Sequence, residues 1–180
     1  GYVGRATAEL AVERGLRPLL GGRSESVREV ADGLGLDAVV MSATDGHAIE
    51  EALADVPVVL NCAGPFVHTY GSFFDACLRT GSHYLDITGE PVVYEAAAAL
   101  DADARRAGVM LLPGVGFDVV PTDCLAAHVA ARLPTATQLA IAFSNEGPAS
   151  LPPGTANTML EMGASRSEEH TSELQSLLII

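Results

Sequence analysis

Short apolar runs alternate with amphipathic stretches along residues 1–132. The apolar runs predict buried strands near 17–21, 38–42, 56–61, 83–87 and 109–112. Apolar residues spaced three or four positions apart predict helices near 3–15, 25–34, 46–54, 71–80, 91–107 and 121–132. Strands that alternate with helices in this way are typical of an α/β domain with a parallel sheet.

The loops after the last three predicted strands are rich in glycine and polar side chains. They are residues 61–66 (Asn-Cys-Ala-Gly-Pro-Phe), 86–90 (Asp-Ile-Thr-Gly-Glu) and 114–123 (Gly-Val-Gly-Phe-Asp-Val-Val-Pro-Thr-Asp). Ligands of open parallel sheets bind at the carboxyl ends of the strands. The three loops therefore predict one shared ligand site.

The first predicted helix opens with Gly1, Tyr2, Val3 and Gly4. These residues match the last two glycines of a Gly-x-x-Gly-x-x-Gly fingerprint, whose glycines let a pyrophosphate approach a helix N-terminus. A Gly-x-x-Gly pair alone is a weak signal, so the assignment depends on the other loops. We predict that Gly1, Tyr2 and Gly4 contact a dinucleotide.

Arg23, in the loop after the strand near 17–21, indicates which dinucleotide. An acidic residue there would bind the ribose hydroxyl of NAD, whereas Arg suits the 2′-phosphate of NADP. We therefore expect NADP(H), with NAD(H) as the alternative cofactor and a solvated loop Arg as the alternative role. Asp45 could meet the adenine or cap the helix near 46–54, and we favour the cap.

These features predict a Rossmann-like, doubly wound parallel sheet of class α/β over residues 1–134. The chain starts at a helix, so we expect this sheet to lack its first strand. Pro134 is expected to close the last helix, and 137–143 to form a strand that opens a truncated second α+β domain over 135–165. Residues 166–180 match a translated sequencing adapter, so we expect an artefact there.

Composition restricts the class of partner. The net charge of -13 argues against nucleic acid, because phosphate backbones require basic faces. All ten positive charges are Arg, which excludes lysine-dependent sites such as a Tyr-x-x-x-Lys pair within this segment. Cys62, Cys77 and Cys124 lack metal-ligand spacing; we expect reduced thiols packed as small hydrophobic groups, and no metal. No apolar run has spanning length, so we expect a cytoplasmic protein, with peripheral membrane association left open.

Taken together, the motifs at 1–5, 22–24, 61–66, 83–90 and 116–123 resemble the saccharopine dehydrogenase-like oxidoreductases. Within that family the chain is most similar to the branch of mycobacterial trans-acting enoyl reductases, over about residues 1–162. The resemblance implies a Rossmann domain, NAD(P)H and hydride transfer. For the enoyl reductase branch it implies a role in glycolipid synthesis.

The resemblance also suggests roles for the strand-end residues. Asn61, Ala63, Gly64 and Pro65 would contact the nicotinamide half of the cofactor, and Phe66 would cover its ring. The alternative is a strand-to-helix turn that needs only Gly-Pro.

The candidate catalytic groups are Tyr84, Asp86 and Glu90. Loop carboxylates are more often caps or solvated charges, and that alternative stays open. His68 and His83 are further candidate proton donors, although turn or surface roles are favoured for both.

Two residues flank the start of the last predicted helix. Asp118 is expected to contact substrate or cofactor, and Asp123 suits helix capping.

Two classes of function compete. The first is an NADP(H)-dependent oxidoreductase acting on a small-molecule or lipid substrate, with a homodimer formed through the second domain. The second is a non-catalytic, lipid-associated protein that keeps the dinucleotide fold. A saccharopine or amino-acid dehydrogenase is the alternative within the enzyme class.

Overall fold

The computed structural model describes residues 1–117 and 119–141. Its helices are α1 (Tyr2–Glu13), α2 (Ser26–Leu34), α3 (Gly46–Leu53), α4 (Tyr70–Thr80), α5 (Pro91–Ala99), α6 (Asp101–Ala107) and α7 (Val120–Arg132). Its strands are β1 (Leu20–Gly22), β2 (Ala38–Val40), β3 (Val58–Asn61), β4 (His83–Asp86) and β5 (Leu111–Leu112), with a 3-10 helix at Phe66–His68. The predicted alternation of strands and helices, and with it the α/β class, is confirmed.

One predicted helix is wrong, because residues 91–107 form two helices rather than one. Leu100 separates them with φ -93 and ψ 8, which ends α5 before α6 begins. Asp101 and Asp103 occupy the first turn of α6, where negative charge favours a new helix N-terminus. The alanine-rich sequence is helix-forming on both sides of Leu100, so periodicity alone does not reveal the break.

The strands form two parallel sheets instead of one continuous sheet. One contains β1 and β2, and the other has the order β3-β4-β5. Within the described part of the chain, β1 and β3 each pair with a single neighbour. A continuous doubly wound sheet has a further strand between the corresponding positions.

The hydrophobic core lies beneath β3 and β4, where α3 and α4 pack. Its fully buried members include Ile49, Phe74, Cys77, Tyr84 and Val93. The rings of Phe74 and Tyr84 meet edge to face, with centroids 4.8 Å apart. Burial of such side chains stabilises the fold by about 1.5–3 kcal/mol each.

The pleating of β3 and β4 places three polar side chains on the core side of this sheet. Asn61 pairs in register with Asp86, and Val59 pairs with Tyr84. Because side chains alternate along a strand, Asn61, Tyr84 and Asp86 all point inward while Leu60 points out. The core face therefore ends in polar groups at the carboxyl ends of β3 and β4.

The chain divides into two compact units, residues 1–115 and 116–180. Both sheets belong to the first unit. The predicted domain boundary at 134 stays a prediction. Among the described residues, no helix combines the length and apolar character needed to cross a membrane.

In the second unit α7 ends at Arg132, shortly before Pro134, as predicted. The expected capping role of Asp123 is wrong, because α7 already begins at Val120 and Asp123 lies inside its first turn. Residues 137–141 form no strand. The rest of the predicted 137–143 strand, most of the predicted second domain, the tail at 166–180 and Asp118 lie outside the described residues.

Candidate functional site

The start of α1 lies against the loop that follows β3. A Cβ atom built on Gly4 would lie 3.5 Å from the Cβ of Cys62. Gly1 and Tyr2 are exposed beside it. The structure therefore brings together the predicted pyrophosphate and nicotinamide segments, which are far apart in sequence.

In the loop of residues 61–65, Ala63 and Gly64 are exposed, whereas Cys62 and Pro65 on either side of them are half-buried. Asn61 Oδ1 accepts a hydrogen bond from the Ala63 amide at 2.9 Å, which fixes the start of the loop. At its other end, the ring of Phe66 packs in the hydrophobic core. The same ring lies against Gly64, where a Cβ would be 3.2 Å from it. Its expected contact with the nicotinamide stays a prediction.

Asn61 is itself buried, and both its side-chain oxygen and its side-chain nitrogen are hydrogen-bonded. Its amide nitrogen donates to Thr69 Oγ1 at 3.1 Å and to the Tyr84 hydroxyl at 3.2 Å. Asn61 thus shapes the loop from below. Direct contact between its side chain and a cofactor stays a prediction.

Tyr84 and Asp86 continue this buried network. The Tyr84 hydroxyl donates to Asp86 Oδ2 at 2.7 Å, and Asp86 Oδ1 accepts from the amides of Thr88 and Gly114 at 3.0 and 2.8 Å. Burial, and secondarily the Asp86 carboxylate, raise the pKa of Tyr84 far above its usual range. Tyr84 therefore keeps its proton at every physiological pH, and the pair links β4 to the loop after β5.

Glu90 fixes the far end of the 61–65 loop. Its side chain is buried, and its two carboxylate oxygens accept from the amides of Phe66 at 2.9 Å and Val67 at 2.6 Å. The Glu90 amide donates to Thr88 Oγ1 at 3.0 Å. Asp86 and Glu90 are therefore bonded to loop backbones, and Tyr84 to the side chains of Asn61 and Asp86. The catalytic role of all three stays a prediction.

The network contains two residues that sequence reasoning missed, Thr69 and Thr88. Both are buried, and their hydroxyl groups meet Asn61 and the Glu90 amide, respectively. A Thr before a helix or in a turn carries no local signal that distinguishes this role from an ordinary one.

Arg23 lies at the carboxyl end of β1 in the smaller sheet. Its side chain is exposed and makes no hydrogen bond or ion pair within the described part of the chain. The preceding Gly22 has no room for a side chain, because a Cβ there would lie 2.9 Å from the Cβ of Val27. The hydroxyls of Ser24 and Ser26 bond to each other nearby, at 2.7 Å.

Asp45, His83 and His68 are the remaining residues for which the sequence suggested a role. Asp45 caps α3, accepting from the His47 and Ala48 amides at 3.1 and 3.2 Å, so the favoured capping role is confirmed. His83 Nδ1 accepts from the Met110 amide at 3.0 Å, and His68 is exposed at the end of the 3-10 helix.

The three thiols differ in environment. Cys77 is buried, and desolvation raises its pKa to about 12; burial also raises the pKa of Cys62. Cys124 is exposed, so the expectation that it packs as a small hydrophobic group is wrong.

The sequence of this chain is similar to those of known oxidoreductases. A family model described as the saccharopine dehydrogenase NADP-binding domain matches residues 1–112. A trans-acting enoyl reductase of Mycobacterium leprae (strain TN) is 35% identical over 132 residues, which cover 68% of this chain and 32% of that protein. A saccharopine dehydrogenase-like oxidoreductase of Bos taurus is 30% identical over 86 residues, covering 47% of this chain and 20% of that protein.

Among solved structures, the apo, histidine-tagged saccharopine dehydrogenase (L-Glu forming) from Saccharomyces cerevisiae resembles this chain with a TM-score of 0.65. It is 20% identical, and the match covers 78% of this chain and 31% of that one. At this identity the likeness shows the fold alone. The chain spans about a third of the length of the enoyl reductase that it matches.

Proposed function

The chain belongs to the saccharopine dehydrogenase NADP-binding domain family, and from this premise we propose that it is the cofactor-binding part of an NADP(H)-dependent oxidoreductase. We further propose that the whole protein reduces an enoyl lipid or polyketide-type substrate in glycolipid synthesis. The family's cofactor agrees with the NADP(H) expected from Arg23. Enoyl reduction is the activity named for the mycobacterial relatives.

Arg23 is the observation that carries the cofactor assignment. Its guanidinium is exposed at a strand end and has no carboxylate partner among the described residues. A planar guanidinium can donate two hydrogen bonds to one phosphate, which favours the 2′-phosphate of NADP over an unmodified ribose. The neighbouring Ser24 hydroxyl is a second donor suited to the same phosphate.

The remaining contacts follow from the positions of two backbone segments. The N-terminus of α1, with Gly1, Tyr2 and Val3 exposed and Gly4 half-buried, offers free amides and a positive dipole end to the pyrophosphate. The Ala63–Gly64 backbone lies beside it and suits the nicotinamide half, because it carries no bulky side chain. When bound, NADPH supplies the hydride. The α1 N-terminus and the Ala63–Gly64 backbone bind the cofactor and orient it.

The buried groups Tyr84, Asp86 and Glu90 act in this proposal by holding the loops. Each is buried and internally hydrogen-bonded, which keeps its polar atoms away from an exposed substrate. We therefore assign the proton required to complete enoyl reduction to a different group. The same burial favours the second candidate function, a dinucleotide-binding protein without turnover.

Replacement of Arg23 tests the cofactor assignment. In the full-length gene product, Arg23→Ala should weaken NADPH binding about tenfold or more and leave NADH binding unchanged, because it removes one charge-assisted contact of roughly 1.5–3 kcal/mol. Fluorescence titration with both reduced cofactors measures this. Arg14→Ala is the matched control, since Arg14 is exposed at the end of α1. Equal losses for NADPH and NADH, or none, would refute the role of Arg23.

Turnover decides between the two candidate functions. NADPH oxidation by the full-length gene product is measured against enoyl lipids of increasing chain length and against 2-oxo acids with an amino donor. Oxidation with enoyl lipids supports the proposal, and oxidation with 2-oxo acids indicates an amino-acid dehydrogenase. Tight NADPH binding without oxidation in either panel indicates the non-catalytic protein.

A further inference from the structure

We infer that Glu90 is a positioning residue for the cofactor, acting through the backbone of the 61–65 loop. This inference depends on the proposed NADP(H) function, because the loop is the segment assigned to the nicotinamide half. Glu90 itself is buried, with only 4% of the residue exposed, so it acts from beneath the exposed Ala63 and Gly64.

Backbone amides are the hydrogen-bond partners of the buried Glu90 carboxylate. Both carboxylate oxygens bind backbone amides, those of Phe66 at 2.9 Å and Val67 at 2.6 Å. No Arg or His forms an ion pair with Glu90 in the described part of the chain. Burying a carboxylate is unfavourable unless such hydrogen bonds compensate. The two amides are therefore the principal partners of this charge.

The two amides bound by Glu90 belong to the start of the 3-10 helix. Phe66 and Val67 open the 3-10 helix, and their N–H groups have no acceptor within that helix. Glu90, the residue before α5, thus fixes the start of the 3-10 helix from 24 residues further along the chain. Phe66 directly follows Pro65, so the same contact fixes the exit of the 61–65 loop.

The 61–65 loop is held by a side chain at each of its two ends. Asn61 holds the entry through the Ala63 amide, and Glu90 holds the exit. Only Ala63 and Gly64 between them are exposed, and a Cβ on Gly64 would lie 3.2 Å from the Phe66 ring. The position of Phe66 therefore sets the position of the Gly64 backbone. Releasing Glu90 moves the surface that receives the cofactor.

Glu90→Gln tests this with the shape of the side chain preserved. A carboxamide has one acceptor oxygen, and its NH₂ group would face the second backbone N–H. We expect exchange of the Phe66 and Val67 amides to accelerate roughly tenfold or more, and NADPH to bind roughly tenfold more weakly, as loss of one charge-assisted bond implies. Glu95→Gln is the matched control, because Glu95 is an exposed glutamate on α5. It should alter neither amide exchange nor NADPH affinity.

Both quantities are measured on the full-length gene product, by hydrogen exchange without cofactor and by NADPH fluorescence titration. Accelerated exchange with unchanged NADPH affinity would overturn the positioning role and leave a purely structural contact. Unchanged exchange would overturn the inference outright. Failure of the wild-type protein to bind NADPH would refute the proposed function instead, and exchange would still decide whether Glu90 fixes the loop.

A fallback variant covers the case in which Glu90→Gln does not fold. Glu90→Asp keeps the charge but is one methylene shorter, so it can reach only one of the two amides at a time. Amide exchange and NADPH affinity are measured for Glu90→Asp as they are for Glu90→Gln. An affinity equal to that of wild type would overturn the positioning role.

Discussion

Gly114 shows how one residue position is specified by both backbone and packing. Its φ is 77°, a conformation that residues with a side chain rarely adopt. Its amide donates to the buried Asp86 carboxylate at 2.8 Å. A Cβ here would lie 2.7 Å from Cε1 of Tyr94, whose hydroxyl donates to the Thr88 carbonyl. Any side chain would therefore strain the backbone and displace Tyr94.

Gly114→Ala should lower the free energy of unfolding by about 2–4 kcal/mol, since left-handed strain and overpacking add. Gly33→Ala is the matched control, because Gly33 is exposed in α2 and a Cβ there meets nothing within 4 Å. That control should be neutral or stabilising by up to about 1 kcal/mol, as Ala is the better helix former. Urea denaturation measures both, and equal effects of the two substitutions would contradict the packing argument.

At the scale of elements, α3 depends on a local cap rather than on its sequence alone. α3 has only eight residues, a length at which isolated helices are unstable. The Asp45 carboxylate accepts from two free amides of its first turn. Ile49 and Leu53 on the same helix are buried in the core, so the cap also helps hold the core in place.

Asp45→Ala should destabilise the protein by about 1 kcal/mol, and Asp45→Ser should recover most of that loss because a hydroxyl can accept the same bonds. Asp55→Ala provides the control, as Asp55 is an exposed carboxylate just beyond α3. Thermal unfolding at pH 7 compares the three variants. A loss with Asp55→Ala as large as that with Asp45→Ala would show that net charge, and not the cap, is responsible.

At the scale of the whole molecule, the described residues form two sheets whose outer strand edges have no partner among those residues. β3 pairs on one side only within the described residues, and it presents Val58 and Leu60 with exposed fractions of 46% and 36%. An apolar strand with a free edge is a template for pairing with another chain. The net charge of -13 opposes association only in part, because screening shortens its reach to about 8 Å at physiological salt.

We predict that the 180-residue chain self-associates at micromolar concentration, and that Leu60→Lys reduces this association because a lysine disfavours edge pairing. Leu16→Lys makes the same change at an exposed leucine outside any strand and should leave association unaltered. Light scattering coupled to size exclusion measures the mass of each variant. If both variants reduce the mass equally, general charge explains the effect and β3 has no special role.

The sequence alone determined what depends on short spacings. Apolar periodicity predicted the strands and most helices, and Asp45 was identified as the N-cap of α3. Glycine-rich loops indicated the carboxyl ends of the strands. The fingerprint glycines, Arg23 and the three loops also sufficed to indicate the family. These features are local because secondary structure, capping and motif geometry involve residues within about one turn or one loop of each other.

Only the tertiary structure decided which polar side chains meet. Tyr84, Asp86 and Glu90 looked like candidates for chemistry, yet each turns inward to bond with another segment of the chain. Asp86 reaches Gly114 and Glu90 reaches Phe66, separations of 28 and 24 residues. Such contacts depend on strand register and on which face is buried, and both are set by packing between distant elements. The same long-range packing placed Phe66 in the core.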